Sequence, residues 1–516
     1  MITEDQTAII DFLTSPSTHG GATVERIDTH TAIVFLAGAR AWKLKRAVRF
    51  DYLDFSTVER RKAMCEAEVR LNRRAAPAVY RGVVAVTRAP DGSLALDRPG
   101  TPVDWLVEMN RFEQEGLLDR LAGSGRLDLA LMPRLAAAIA RFHLAAERRT
   151  DHGGSAGMGW VIEGNAAGFA EFGAAFLEPS ACIRVTNDAS AELDRHSALL
   201  DARREAGFVR QCHGDLHLRN IVMLEGQPTL FDAIEFNDEI ACIDVLYDIA
   251  FLLMDLWRRH LPRHANGIWN GYLAETADLD GVSLLPLFLS CRAAVRAKTS
   301  ATAARVQGDP ERASELRTSA QEYLALAERL LHPAEPCLIA IGGFSGSGKS
   351  TLALGLAPSV GGVPGAVVLR SDEIRKRLCG VPSLERLGPE GYTADMSREV
   401  YAAAARHACT LVRAGHSAIV DAVFANPQDR AAIERVAANA SVPFLGLWLD
   451  APAPVLIDRT RQRVADASDA TADVVRLQLA QDAGAIGWLR IDASAPAEVV
   501  LQKTVNCLPA RSTVDG

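Results

Sequence analysis

Two groups of residues in this 516-residue chain have the types and spacing to handle phosphate. In the first, His213-Gly214-Asp215-Leu216-His217-Leu218-Arg219-Asn220 is followed by Leu230-Phe231-Asp232. The Asp215 carboxylate can accept the proton of a substrate hydroxyl. The Asn220 amide oxygen can hold Mg²⁺, and Asp232 offers a second metal carboxylate. Mg²⁺ takes oxygen ligands and can bridge the phosphates of ATP. In the second group, Gly343-Phe344-Ser345-Gly346-Ser347-Gly348-Lys349-Ser350 is a complete phosphate-binding loop. Glycines at Gly343, Gly346 and Gly348 let backbone N–H groups, with those of Ser345 and Ser347, curl around phosphates. The helix that starts at Thr351 adds a favourable potential. Lys349 reaches the β- and γ-phosphates, and Ser350 ligates Mg²⁺. Both groups therefore call for ATP and Mg²⁺.

The flanking sequence indicates which elements position these residues. Thr31 to Leu36 and Ala41 to Lys45 read as a hairpin turning at Ala37-Gly38-Ala39. Ser56-Thr57-Val58-Glu59 is a capping box opening a charged helix that runs to Arg74. From Asp128 most segments look helical, interrupted by strands at Ile221 to Leu224 and Pro228 to Asp232. Strand-rich at first and then helical, this half predicts a two-lobed α+β domain. Its small lobe spans about 1–107 and its large lobe about 108–331. Prolines at Pro333 and Pro336 break the preceding helix, Pro310 to Leu331, and mark a linker at 332–336. Beyond it, apolar strands at Leu338 to Gly342, Ala366 to Arg370, Ala418 to Asp421 and Phe444 to Leu449 alternate with helices. That order predicts an α/β domain with a mainly parallel sheet over 337–516.

The first group resembles the aminoglycoside phosphotransferase branch of the protein-kinase-like fold over roughly Val34 to Ala250. The five-residue step from Asp215 to Asn220 matches the kinase catalytic loop, and Asp232 stands in the place of the D-F-G aspartate. Asp244-Val245-Leu246-Tyr247-Asp248-Ile249-Ala250 is similar to that branch's D-x-x-x-D-[LI]-A helix start. The resemblance implies a strand lysine on the α/β-phosphates and a helix glutamate that holds it. Ala41-Trp42-Lys43 fits the lysine pattern, and Lys45 lies on the same side of the strand. Glu68 fits the glutamate, with Glu66 its rival. Trp105-Leu106-Val107-Glu108-Met109 looks like the hinge strand, whose backbone at Glu108 and Met109 would face adenine, or else an ordinary strand. No G-x-G-x-x-G precedes Lys43, and Gly214 replaces the arginine before the catalytic aspartate. No activation segment follows Asp232. These departures favour a small-molecule kinase over a protein kinase. His213 and His217 read as structural. Arg292, Arg296 and Lys298 form a basic helical set that could face an anionic substrate or solvent.

The second group resembles small-metabolite and nucleotide kinases, such as gluconate, shikimate and adenylate kinases, from Leu338 to about Gln478. In those kinases an aspartate like Asp372 orients the acceptor hydroxyl and an arginine like Arg375 holds the acceptor. Asp421 ends a strand and suits Mg²⁺ held through water. Arg459 and Arg463 sit in a lid-like segment and would act on the transferring phosphoryl group. The order of the two halves is similar to a bacterial family that joins an aminoglycoside-phosphotransferase-like domain to a P-loop domain of the AAA family ATPase type.

Composition excludes some alternatives. At 48% hydrophobic and 23% charged residues the chain is an ordinary globular one. A net charge of −8 argues against a general nucleic-acid or anionic-membrane binder. Nine scattered cysteines with no C-x-x-C pair fit a reduced, cytoplasmic setting, and Met1 to Thr7 is no signal peptide. No run is long and apolar enough to span a membrane. The expected function is a bifunctional, ATP-dependent phosphotransferase acting on hydroxyl groups of small molecules at two separate Mg·ATP sites. The alternatives are a P-loop half that regulates the first, or one that is a nucleoside or polynucleotide kinase.

Overall fold

The computed structural model of the chain describes residues 2–50, 52–173, 175–382, 384–462 and 467–508. These residues fall into two compact units: Met1–Trp160 with Arg195–Asp255, and Val161–Asp194 with Leu256–Gly516. Both flanks of the 332–336 stretch, the helix Pro310–Leu330 and the strand that follows, lie in the second unit.

In the first unit, β1 (Val24–Asp28), β2 (Ala32–Ala37) and β3 (Arg40–Lys45) form an antiparallel meander. A two-stranded ribbon follows, of β4 (Arg49–Phe50) and β5 (Leu53–Asp54). Next come β6 (Tyr80–Arg88), β7 (Leu94–Leu96) and β8 (Thr101–Asn110), which complete a six-stranded sheet in the order β1-β2-β3-β8-β6-β7. The expected hairpin is present within a residue at each end. Side chains alternate across a strand, so Trp42 and Leu44 of β3 join Ile33, Phe35, Leu106 and the N-terminal Ile9 and Leu13 in one apolar core. Lys43 and Lys45 therefore project from the opposite face, toward the helix Val58–Asn72.

That helix starts one residue later than the capping box implied. Thr57 is the N-cap, its hydroxyl accepting from Arg60 N at 3.3 Å, because Ser56 Oγ donates instead to Asp54 at 2.5 Å. The remainder of the unit is largely helical. It carries β9 (Val209–Gln211), the hairpin β10 (Ile221–Leu224) and β11 (Gln227–Leu230), and β12 (Cys242–Asp244), which pairs with β9. The hairpin was legible in the sequence, whereas the short β9–β12 pair was not.

In the second unit, β13 (Leu338–Gly342), β14 (Val367–Arg370), β15 (Ala418–Asp421), β16 (Phe444–Asp450) and β17 (Leu489–Asp492) form a parallel sheet in the order β14-β15-β13-β16-β17. The chain crosses from one side of β13 to the other, so the carboxyl end of β13 is a topological switch point, where ligands bind in open α/β sheets. Ile339, Ile341, Ile419 and Leu447 pack with Leu352 and Leu356 beneath it. The fold is thus an α+β, two-lobed kinase-like arrangement followed by an α/β P-loop domain. All nine cysteines are free thiols, and among the described residues no helix is long and apolar enough to cross a membrane.

One buried histidine gives this unit a testable pH response. His416 donates through Nε2 to Gly365 O at 3.0 Å and meets the edge of the Trp269 ring. Burial pushes its pKa down to about 4. The unfolded chain therefore takes up a proton that the folded one excludes. This histidine's contribution to stability is complete above about pH 6.5 and is lost as pH falls toward about 4. Urea midpoints measured across that interval should fall in the wild type and fall less steeply in His416→Gln.

Candidate active sites

The first site is built around a carboxylate with no access to water. Glu68, fully buried on the Val58–Asn72 helix, accepts from Lys43 Nζ at 2.9 Å and from Lys45 Nζ at 2.6 Å. Burial alone would raise its pKa, but the two ammonium groups outweigh that and hold it below the usual glutamate range. Glu66 is exposed and lies 3.9 Å from Lys62. Both candidate lysines touch Glu68, but their other partners differ. Lys43 Nζ also donates to Asp232 at 2.6 Å, and the Asp232 side chain is 44% exposed. Lys45 is fully buried and pairs with Glu235. Burial disfavours the Lys43 ammonium, but Asp232, Glu68 and Glu235 keep its pKa well above the ordinary value. Lys43 thus meets the open, metal-competent carboxylate, and Lys45 anchors the network. Glu235 was missed in the sequence; its signal is the acidic residue three positions after Asp232.

Asp232 is held in a left-handed backbone conformation, φ 62°, rare for a residue with a side chain. Its N–H donates to Tyr80 Oη at 3.1 Å, and the next amide, of Ala233, donates to Asn72 Oδ1 at 2.8 Å. Such conformations persist where the surroundings over-determine them, often at functional sites.

The catalytic-loop segment is fixed from below by Asp248. Its two carboxylate oxygens accept from His213 N and Gly214 N, each at 2.9 Å, and it lies 3.0 Å from His143 Nε2. Asp244 is clamped by Arg203 Nε at 2.7 Å and Nη2 at 3.0 Å. The two aspartates of the D-x-x-x-D segment are therefore supports. His213 is buried and contacts Phe231 O at 2.9 Å. Asn220 Nδ2 donates to Asp215 O at 3.0 Å and Oδ2 at 3.1 Å, which brings the acid–base candidate and the amide metal candidate together. Asp215 Oδ2 also lies 3.3 Å from His217 Nε2. In β8, Glu108 interacts with Arg81 at 3.3 Å and Arg40 at 3.6 Å, and Met109 packs beside the Val69–Tyr80 core.

At the second site the P-loop curls between β13 and the helix Lys349–Leu356. Gly343 (φ 136°), Gly346 (φ 83°) and Gly348 (φ 90°) occupy backbone regions that side chains disfavour. A Cβ at Gly346 would also collide with Leu456 O. Ser347 Oγ is buried with no hydrogen-bond partner among the described residues, a polar atom suited to a phosphate oxygen. Lys349 Nζ donates to Phe344 O at 3.2 Å, and Thr351 is exposed in the first helical turn. Ser350 Oγ donates to Asp421 Oδ2 at 2.6 Å. Register explains the meeting: Asp421 pairs with Ile341 of β13 on one side and Arg370 of β14 on the other. Burial raises the Asp421 pKa despite Lys349 and Arg370. The hydroxyl and carboxylate form a hard oxygen donor set that fits Mg²⁺.

Arg370, not singled out from the sequence, donates to Ser350 Oγ at 3.3 Å and Glu373 at 2.9 Å and lies 3.7 Å from Asp421. Asp372 sits in the first turn of the helix Ser371–Leu378. Arg375, on the same helix, is buried; it donates to Gly391 O at 2.8 Å and lies over the Tyr392 ring. Arg459 donates to Ala493 O at 2.8 Å and Ala495 O at 3.3 Å, so in this structure its guanidinium fastens the backbone after β17. Arg463 lies outside the described residues. The basic set on the helix Leu285–Val306 is dispersed into packing: Arg292 is buried, Arg296 stacks on Tyr323, and Lys298 donates to Gly164 O at 3.2 Å.

The AAA domain family matches residues 338–482. The uncharacterized protein Rv2004c of Mycobacterium tuberculosis (strain ATCC 25618 / H37Rv) is 32% identical over 480 residues, covering 91% of this chain and 92% of that protein. The chain belongs to that protein's family, and its own C-terminal part carries the AAA domain. Among solved structures, amicoumacin kinase hAmiN in complex with AMP-PNP, Ca²⁺ and Ami is 14% identical, covering 63% of this chain and 94% of that one, with a TM-score of 0.39. A gluconokinase from Sinorhizobium meliloti 1021 is 19% identical, covering 33% and 90%, with a TM-score of 0.25.

The P-loop carries one internal competitor for phosphate. Ser345 N donates to Gln478 Oε1 at 2.8 Å, a contact with no separate sequence signal. A phosphate oxygen taking that amide must displace the side chain. One hydrogen bond is worth about 0.5–1.5 kcal/mol net, so Gln478→Ala should tighten binding of inorganic pyrophosphate or ATP at this loop by about two- to tenfold. Calorimetric titration would show it; weaker binding would mean that Gln478 contacts the nucleotide.

Proposed function

We propose that the chain is a bifunctional, ATP-dependent phosphotransferase with two separate sites, each passing a γ-phosphoryl group to a hydroxyl of a small molecule. The observation that carries this reading is the completeness of both charge arrangements: Lys43–Glu68 with Asp215, Asn220 and Asp232, and the P-loop with Ser350–Asp421. We place the covalent boundary between the activities at 332–336, with the second site relying on helices before it.

At the first site Lys43 binds the α/β-phosphates and Glu68 keeps it oriented. Asp215 takes the proton of the acceptor hydroxyl as its oxygen bonds to phosphorus and the bond to the ADP oxygen breaks. Asn220 and Asp232 would hold Mg²⁺, which neutralises charge on the phosphates when bound. At the second site Lys349 and the loop amides cradle the phosphates, while Ser350 and Asp421 would hold the metal. Asp372 orients the acceptor, and Arg459 or Arg463 would act on the transferring group. Most of the rate enhancement then comes from positioning and charge neutralisation.

ADP release and phosphorus NMR over sugars, amino alcohols, nucleosides and aminoglycosides would identify the acceptors. Asp215→Asn should lower transfer at the first site by about 10²–10⁴-fold with little change in ATP affinity. Asp232→Asn should weaken Mg²⁺-dependent nucleotide binding as well. Equal, small effects of both would leave the first domain a non-catalytic scaffold. Asp372→Ala should abolish transfer at the second site while slow ATP hydrolysis persists. Indifference to Asp372→Ala, with no phosphorylated product, would instead make this half a regulator.

A further inference from the structure

β14 lies at the edge of the parallel sheet, where a strand presents backbone groups with no neighbouring strand. Here a helix from before the 332–336 stretch, Pro262–Thr276, covers that edge through two asparagines. Asn270 Oδ1 accepts from Val368 N at 2.7 Å, and Asn270 Nδ2 donates to Ala366 O at 3.1 Å. Asn266 Nδ2 donates to Pro364 O at 3.2 Å and Ala366 O at 3.1 Å, and its Oδ1 accepts from Asn270 Nδ2 at 3.0 Å. An asparagine amide offers one acceptor and a donor, the same pair a peptide group offers a ladder. The two side chains thus continue the sheet by one rung. Beyond the strand, Arg377 Nη2 donates to Ala274 O of the same helix.

Arg370 and Asp372 lie between these two attachments. Arg370 reaches Ser350 Oγ at 3.3 Å and lies 3.7 Å from Asp421, the two residues read above as the metal side of the P-loop site. A displacement of β14 therefore moves Arg370 against that pair and moves Asp372 with it. Asn266 is buried and Asn270 partly buried, so water is a poor substitute for either.

We infer that Asn270, supported by Asn266, is a positioning residue for the P-loop site: it sets the edge strand that carries Arg370 and Asp372. The inference deepens the kinase reading of this half and rests on it for the roles of Ser350 and Asp421. It makes residues 262–276 part of the working P-loop module, although they precede its motif by some seventy positions.

The test uses the full chain in an Asp232→Asn background, so that Mg²⁺-dependent nucleotide binding reports the P-loop. Hydrogen exchange is followed in peptides spanning 364–372, with AMP-PNP as the probe ligand. Asn270→Leu should speed exchange at Val368 about tenfold. It should also raise the Mg²⁺ concentration for half-maximal AMP-PNP binding several-fold and leave metal-free binding unchanged. Asn270→Asp, which keeps the acceptor for Val368 N but not the donor, should restore most of the Val368 protection. Wild-type exchange and Mg²⁺ requirement in Asn270→Leu would overturn the inference. So would a uniform rise in exchange across the second unit, the mark of general destabilisation. If the Asp232→Asn chain with Asn270 intact shows no Mg²⁺-dependent binding, the kinase reading falls. The local exchange result then still decides whether Asn270 holds the strand.

Discussion

A carboxylate taken out of water must be paired, and three such carboxylates organise this chain. Glu68 holds Lys43 and Lys45, Asp248 holds the amides of His213 and Gly214, and Asp421 meets Ser350 and Arg370. Removing one partner of a buried pair costs about 3–5 kcal/mol, because the remaining charge is stranded. Each pair joins residues far apart in sequence, so the sites form only when the strands and helices that carry them are in register.

The two sites solve the same electrostatic problem with different backbones. In the first, a strand supplies the cations, a helix supplies the glutamate that holds them, and a left-handed turn at Asp232 presents the acidic group. In the second, the chain itself supplies donors, and glycines at positive φ let it curl tightly enough to do so. The P-loop lies at the switch point of its sheet, and parallel register brings Asp421 beside it without a dedicated loop.

Legibility in the sequence followed locality. The P-loop, the Asp215–Asn220 segment and the strands that carry them are contiguous motifs, so their chemistry could be read from spacing. The choice of Glu68 over Glu66 needed burial, which a charged helix does not advertise. The division of labour between Lys43 and Lys45 needed their distant partners Asp232 and Glu235. β17 escaped because three of its four residues are exposed and two are charged, which blurs a strand pattern. Arg459, read from its lid-like segment as acting on the transferring group, donates in this structure to backbone carbonyls, and Arg292, left open between an anionic substrate and solvent, is buried. Asn270 gave no signal, since an asparagine that caps a sheet edge looks like any helical asparagine.

The central claim is that one chain carries two independent Mg·nucleotide sites, and binding stoichiometry tests it most directly. Equilibrium dialysis of the full chain with AMP-PNP and Mg²⁺ should give two equivalents. Lys349→Ala or Asp232→Asn should each reduce this to one, and the double substitution should leave none. A single equivalent in the wild type, or loss of both sites on either substitution, would contradict the account.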